Sequence, residues 1–207
     1  MADRSIAVID VGSNSGRIVV IRIGRPGHIE ILANGRAPLR LARDLRQGNR
    51  IAPETIERTA AALRDFRAIA ESAGAGTLIA VATSAVRESE NAGEFQARVE
   101  AESGVSVRVI SGDEEALYTF LGAVHGLPVD RGAVADLGGG SLELTEFEER
   151  RALRSWTLPL GSLRLSDRFL KSDPPAREEI EELTGYAHTT LEGAEVGTLE
   201  AGVPVPR

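Results

Sequence analysis

The sequence has no cysteine. Disulfides and cysteine–zinc sites are therefore excluded. Histidine is scarce: His28, His125 and His188 lie far apart and have no metal-ligand spacing. Long apolar runs are also missing. The longest are strand-length, so no membrane span is expected. Residues 1–4 lack the apolar core of a signal peptide. Positive charge is not in excess, because the formal net charge is −7 with a charged fraction of 27%. That argues against a nucleic-acid binder, which would carry a basic face. It leaves room for a polyanion held at a local basic site. The chain has no Walker A pattern, which removes P-loop nucleotide hydrolysis. These absences lead to the expectation of a soluble cytoplasmic protein.

What the sequence does have is two unusual loops. The stretch AVIDVGSNSGRIVV, from Ala7, is a strand ending at an aspartate, a loop of small polar residues, and a second strand. A hairpin needs only two residues, and Asn-Gly or Asp-Gly would serve. The longer loop Gly12-Ser13-Asn14-Ser15 is rich in hydroxyls and in amides that no bulky side chain covers. It can fold round an anion, or it can be an ordinary polar hairpin. The stretch AVADLGGGSLELTEFE, from Ala133, repeats the pattern. Asp10 matches Asp136, Gly12 matches Gly138 and Ser15 matches Ser141, each pair 126 positions apart. Two copies, each opening half of the chain, suggest an internal duplication with two phosphate-facing loops that meet at a cleft.

The chain has 207 residues, 42% of them hydrophobic, enough for one core or two small ones. The first half reads as strands over 5–11, 17–23 and 28–33, then a helix over 53–72 with Pro53 in its first turn. Ile56, Ala60, Leu63 and Ala70 share one face of that helix. A strand over 77–82 follows, then a helix to Gly104 with Asn91 and Glu94 spaced as an N-cap. A strand over 105–110 and a helix over 112–124 complete a βββαβαβα order, which suits a mixed sheet with helices against it. Gly126-Leu127-Pro128 reads as a boundary. Beyond it come strands over 133–137, 141–147 and 153–158, then helices over 162–170 and 176–192.

Three carboxylates stand out. In the helix over 112–124, Ser111 and Glu114 have capping-box spacing, so Glu114 has a structural task. Leu117, Phe120, Leu121 and Val124 read as the apolar stripe, and Glu115 shares a face with Tyr118, Thr119 and Gly122. In the first turn the helix dipole keeps Glu115 deprotonated, which suits either a base that positions water or a plain surface glutamate. Asp136 and Glu143 flank the second loop. Strand alternation puts Glu143 on the face of Ser141 and Thr145. A hard cation such as Mg2+ takes one or two carboxylates beside phosphate oxygens, and these two could serve. Glu143 could equally be a solvated strand residue.

Taken together with VATSAVRESENAGEF, VRVISGDEEALYTFLGAV and LPLGSLRLSDRFLKSDPP, these stretches resemble the exopolyphosphatase / guanosine pentaphosphate phosphatase family of the actin–hexokinase–acetate kinase superfamily. The resemblance covers residues 7–175. It implies an α/β protein of two ribonuclease-H-like (actin-like ATPase) domains, 1–126 and 127–207, with mixed sheets, flanking helices and the active site in the cleft between them. It implies a hydrolase that releases terminal phosphate from inorganic polyphosphate or guanosine pentaphosphate, with Mg2+ or another divalent cation. Glu115 is implied as general base, and Asp136 and Glu143 as metal-associated acids. Asp10, Gly12, Ser13, Asn14, Ser15, Thr83, Ser84, Arg87, Gly138, Gly139, Gly140 and Ser141 are implied as the phosphate-binding set. The chain departs from the family at Gly16, where an aromatic residue is common. It also ends at Arg207, where the family's second domain continues, so the resemblance implies a C-terminally truncated member with an incomplete second domain. An incomplete sheet leaves an edge open to pairing, so self-association into a homo-oligomer is an expectation. A phosphotransferase of the same superfamily would need a late adenosine-holding loop that is not seen. A non-catalytic polyphosphate- or nucleotide-binding relative is the other alternative.

Overall fold

The structure is a computed structural model and describes residues 4–24, 28–45 and 48–196. It has two compact units, Met1–Ser111 and Gly112–Arg207. The first unit opens with β1 (Arg4–Val11), β2 (Ser15–Ile23) and β3 (Ile29–Pro38), an antiparallel meander. The short α1 (Leu41–Leu45) and the long α2 (Pro53–Ser72) follow. β4 (Thr77–Ala82) lies parallel to β1, and β5 (Arg108–Val109) lies parallel to β4. Parallel neighbours need a crossover. α2 supplies one, and α3 (Ser84–Glu88) with α4 (Ala92–Ser103) supplies the other. The sheet order is β3-β2-β1-β4-β5, the mixed sheet expected of a ribonuclease-H-like domain.

The core of this unit follows from the sequence pattern. β1 and β2 bury alternate residues, Ala7, Ile9 and Val11 facing Ile18 and Val20. α2 buries Ile56, Ala60, Leu63, Phe66 and Ala70, spaced three or four apart on one face. Phe95 and Val99 of α4 join the same cluster. Burying a side chain of this size contributes about 1.5–3 kcal/mol. At Gly16 a Cβ would lie 3.0 Å from Leu39 Cδ1 and 3.2 Å from Phe66 Cε2. Leu39 and Phe66 thus fill the space beside Gly16.

The second unit begins with α5 (Gly112–Gly126), which sequence reading places at the end of the first domain. β6 (Arg131–Leu137), β7 (Leu142–Glu148) and β8 (Arg151–Leu158) form an antiparallel sheet in the order β6-β7-β8. The meander of the first unit is thereby repeated. Among the described residues no strand pairs with β6 on its other side, where β1 has β4. α5 packs on this sheet through Phe120 and Phe147, whose rings are 5.5 Å apart, with Val124 beside them. α6 (Ser162–Phe169) and α7 (Arg177–Gly193) follow, and among the described residues neither buries a side chain. No helix among the described residues is long and apolar enough to cross a membrane.

Several local expectations are corrected. The buried stripe of α5 is Ala116, Phe120 and Val124, while Leu117 and Leu121 are exposed. Asn91 stands at the N-cap of α4, but its side chain makes no cap bond. Its Oδ1 accepts the Ile51 amide at 2.8 Å and its Nδ2 donates to the Ile51 carbonyl at 2.9 Å. A long-range clamp has replaced the local cap. The strand expected over 105–110 shrinks to two residues, because Val105 and Val107 spend their side chains in the core without entering the ladder.

Candidate active site

The two loops have the same construction. The Gly12 amide donates to the Ser15 carbonyl at 3.2 Å, and the Gly138 amide donates to the Ser141 carbonyl at 3.0 Å. The duplication read from sequence is therefore present as one hydrogen bond made twice. Further carbonyls of both loops are also taken. The Asn14 carbonyl accepts the amides of Leu39 and Arg40 at 2.9 and 2.8 Å, and the Ser13 carbonyl accepts that of Ala42 at 2.9 Å. In the second unit the Gly138 carbonyl accepts the Ser162 amide at 2.9 Å, and the Gly139 carbonyl accepts those of Leu163 and Arg164 at 3.0 and 3.1 Å. Each loop is thus held by amides from the segment after its meander. Among the described residues the amides of Ser13, Asn14, Gly139 and Gly140 donate to no backbone carbonyl. Bonded carbonyls beside amides that have no backbone acceptor are the make-up that an anion-binding loop requires.

In the first unit the phosphate candidates of two separate stretches come together. Ser13 Oγ and Ser84 Oγ share a buried hydrogen bond of 2.9 Å. The Thr83 amide donates to the Val11 carbonyl at 3.3 Å. Thr83 and Ser84 are both buried. Arg87 Nη1 donates to the Ile110 carbonyl at 2.9 Å, which fixes the guanidinium near the end of β5. Asp10 is opposite Arg17 on β2 and beside Val81 on β4.

In the second unit the acids lie along one row of the sheet. Asp136 is opposite Glu143, and Glu143 is opposite Thr157. Asp136 is exposed and Glu143 is only 3% exposed. Glu143 shares the buried face of β7 with Ser141 and Thr145, as alternation requires. The neighbouring Thr157 Oγ1 is buried with no hydrogen-bond partner among the described residues. Buried hydroxyls ordinarily have one. Among the described residues no three of His, Cys, Asp and Glu cluster as metal ligands. A pair of carboxylates with a hydroxyl nearby still fits Mg2+, which prefers oxygen donors and keeps several waters.

α5 runs over this row. A Cβ on Gly112 would lie 2.5 Å from Thr157 Oγ1, so only glycine lets the helix start this close. Thr119 Oγ1 donates to Asp136 Oδ2 at 3.2 Å. Glu115 is three residues after Gly112 and four before Thr119, so it shares their helix face. It is half-buried. Sequence reasoning did not assign Thr119 or Thr157, nor Gly161, which packs against the 138–141 loop. The only local signal for Gly161 was a glycine directly before a helix start.

The sequence pattern of the Ppx/GppA phosphatase family matches residues 19–205. Exopolyphosphatase 1 of Mycobacterium leprae is 34% identical over 201 residues, which is 96% of this chain and 59% of that protein. The crystal structure of an exopolyphosphatase from Cytophaga hutchinsonii superposes with a TM-score of 0.86 at 28% identity, covering 93% of this chain and 62% of that one. The Aquifex aeolicus member of the Ppx/GppA family gives a TM-score of 0.78 at 29% identity, covering 93% and 63%. The chain spans about three fifths of the length of these relatives.

Proposed function

The chain belongs to the Ppx/GppA phosphatase family, and on that premise we propose that it releases orthophosphate from the end of inorganic polyphosphate. The observation that carries the proposal is the pair of equivalent loops, 12–15 and 138–141, each with bonded carbonyls and, among the described residues, two amides that donate to no backbone carbonyl. Relatives named exopolyphosphatase favour the inorganic chain. Guanosine pentaphosphate presents the same kind of terminal anhydride and is the second substrate to test.

In this reading the loop amides, with Ser13, Ser84 and Thr83, bind phosphate oxygens. Arg87 brings positive charge to the transferring group. Glu115 orients a water molecule and accepts its proton. The water oxygen bonds to the terminal phosphorus as the bridging P–O bond breaks. The shortened chain leaves with the bridging oxygen. Asp136 and Glu143, with the Thr157 hydroxyl at hand, would hold Mg2+, which when bound neutralises charge on phosphate oxygens.

The test is phosphate release from long-chain polyphosphate by the full chain, beside its Glu115→Gln and Glu114→Gln variants. Glu115→Gln is expected to retain binding and lose about 10²–10⁴ in turnover, the usual contribution of a positioned base. Glu114→Gln is expected to turn over as the parent does. The reverse result would move the base to Glu114. Binding without release by the parent would make this chain a phosphate-chain binder.

A further inference from the structure

A cavity of about 340 Å3 in the first unit is lined in part by Pro38, Arg40, Arg43, Asp44, Glu54 and Arg58. It adjoins the 12–15 loop through the backbone, because the Arg40 amide donates to the Asn14 carbonyl at 2.8 Å. Arg40 has a φ of 58°, in the left-handed region. For a residue other than glycine this costs about 1–3 kcal/mol, and such strain persists where the surroundings impose it. The neighbours impose it here. Leu39 and Leu41 are both fully buried, and the Arg40 carbonyl accepts the Arg43 amide at 3.2 Å. The guanidinium between the two leucines is exposed. Glycine would adopt this backbone more cheaply, so the fold alone gives no reason for arginine.

The charges of the cavity are unequally committed. Arg58 donates to the Leu39 carbonyl at 2.7 Å and to Thr55 Oγ1 at 2.9 Å. Asp44 Oδ2 accepts the Ala52 amide at 3.0 Å. Glu54 lies in the first turn of α2, where the helix dipole offsets its charge. The side chains of Arg40 and Arg43 have neither an ion pair nor a hydrogen bond among the described residues. In a chain of net charge −7, two guanidiniums with no ion pair or hydrogen bond among the described residues, beside a loop whose Ser13 and Asn14 amides have no backbone acceptor, are a cationic patch. Guanidinium matches phosphate oxygens in a two-pronged geometry.

We propose that this cavity is a second anion subsite. Arg40 and Arg43 take phosphates of a polyphosphate chain other than the one on the 12–15 loop, so the subsite strengthens binding of long chains and leaves short ones unchanged. The inference rests on the phosphate-binding reading of that loop.

The test is calorimetric titration of the full chain with long-chain polyphosphate and, separately, with tripolyphosphate. The variants are Arg40→Gly, Arg43→Gln and both together, with Arg22→Gln as the control, since Arg22 is paired with Glu30 at 3.0 Å on the far part of β2. The double variant is expected to lose about tenfold or more in affinity for the long chain, as charge-assisted hydrogen bonds predict. Tripolyphosphate affinity should change by less than about twofold, and the salt dependence of long-chain binding should become shallower. Arg40→Gly relieves the strained φ, so its melting temperature should equal or exceed that of the parent while its binding falls. Equal losses for the two ligands, or none for either, would overturn the subsite and leave the reading of the loop intact. A parent chain that binds neither ligand would overturn both.

Discussion

Gly161 and Gly140 touch backbone to backbone. A Cβ on Gly161 would stand closer to the Gly140 carbonyl carbon than van der Waals radii allow, and 2.5 Å from that of Gly139. The glycine is what lets the start of α6 reach under the 138–141 loop. There the Ser162 and Leu163 amides bind the loop carbonyls and Arg164 Nε donates to the Gly140 carbonyl at 2.7 Å.

Gly161→Ala is therefore expected to push the loop off the helix start, because the clashing atoms are backbone and cannot rotate away. Overpacking of this kind costs about 1–3 kcal/mol. Polyphosphate binding should fall, because the displaced carbonyls release the amide orientation. Trp156, the sole tryptophan, lies on β8 in the same unit, so its fluorescence melting curve reads the second unit directly. An unchanged melting curve together with unchanged binding would show that the loop does not depend on this contact.

A pH dependence is expected at the start of α7. Glu179 accepts hydrogen bonds from Ser172 Oγ at 2.8 Å and from the Lys171 and Ala176 amides at 2.9 and 3.0 Å. The Ser172 hydroxyl, then the Lys171 amide, hold its carboxyl below the ordinary 4.5. A depressed carboxyl contributes stability that is fully present above its unfolded pKa and is lost as pH falls through its folded one. The order of residues 171–179 should therefore be constant from neutral pH down to about the unfolded value and decline below it. Amide exchange at Lys171 and Ala176 would report this. Glu179→Gln should exchange faster at neutral pH and show no such step. A step that survives the substitution would assign it to another group.

Much of this architecture was legible in the sequence because its signals are local. The 126-residue offset between Asp10 and Asp136 reappears as matching Gly–Ser hydrogen bonds. The face of α2 that carries Ile56, Ala60, Leu63 and Ala70 is the buried one. The elements that escaped are those set by distant partners. α1 and α3 have five residues each, too short to form without tertiary contacts. β3 runs on to Pro38 because β2 offers it a partner past a register shift at Val20/Ile21. Thr157 was invisible beside Glu143 because strand pairing brings them together across 14 positions of chain.

That row supports the last prediction. Glu143 is buried on β7, between exposed Asp136 and a Thr157 hydroxyl with no hydrogen-bond partner among the described residues. If the row holds Mg2+, the ion binds the folded unit alone and stabilises it by mass action, about 2.7 kcal/mol at a hundredfold excess over Kd. For a unit of this size that raises the melting temperature by roughly 4–8 °C for each kcal/mol. Trp156 is again the probe, one residue from Thr157. Each variant's own metal-free melting curve is the reference for its response to Mg2+. With Mg2+ the parent's transition should rise and that of Glu143→Gln should stay where it is. Asp136→Asn should lose the same response, since Mg2+ sites of this type depend on one or two carboxylates. A full Mg2+ shift in Glu143→Gln would place the ion elsewhere and leave this carboxylate a structural role only.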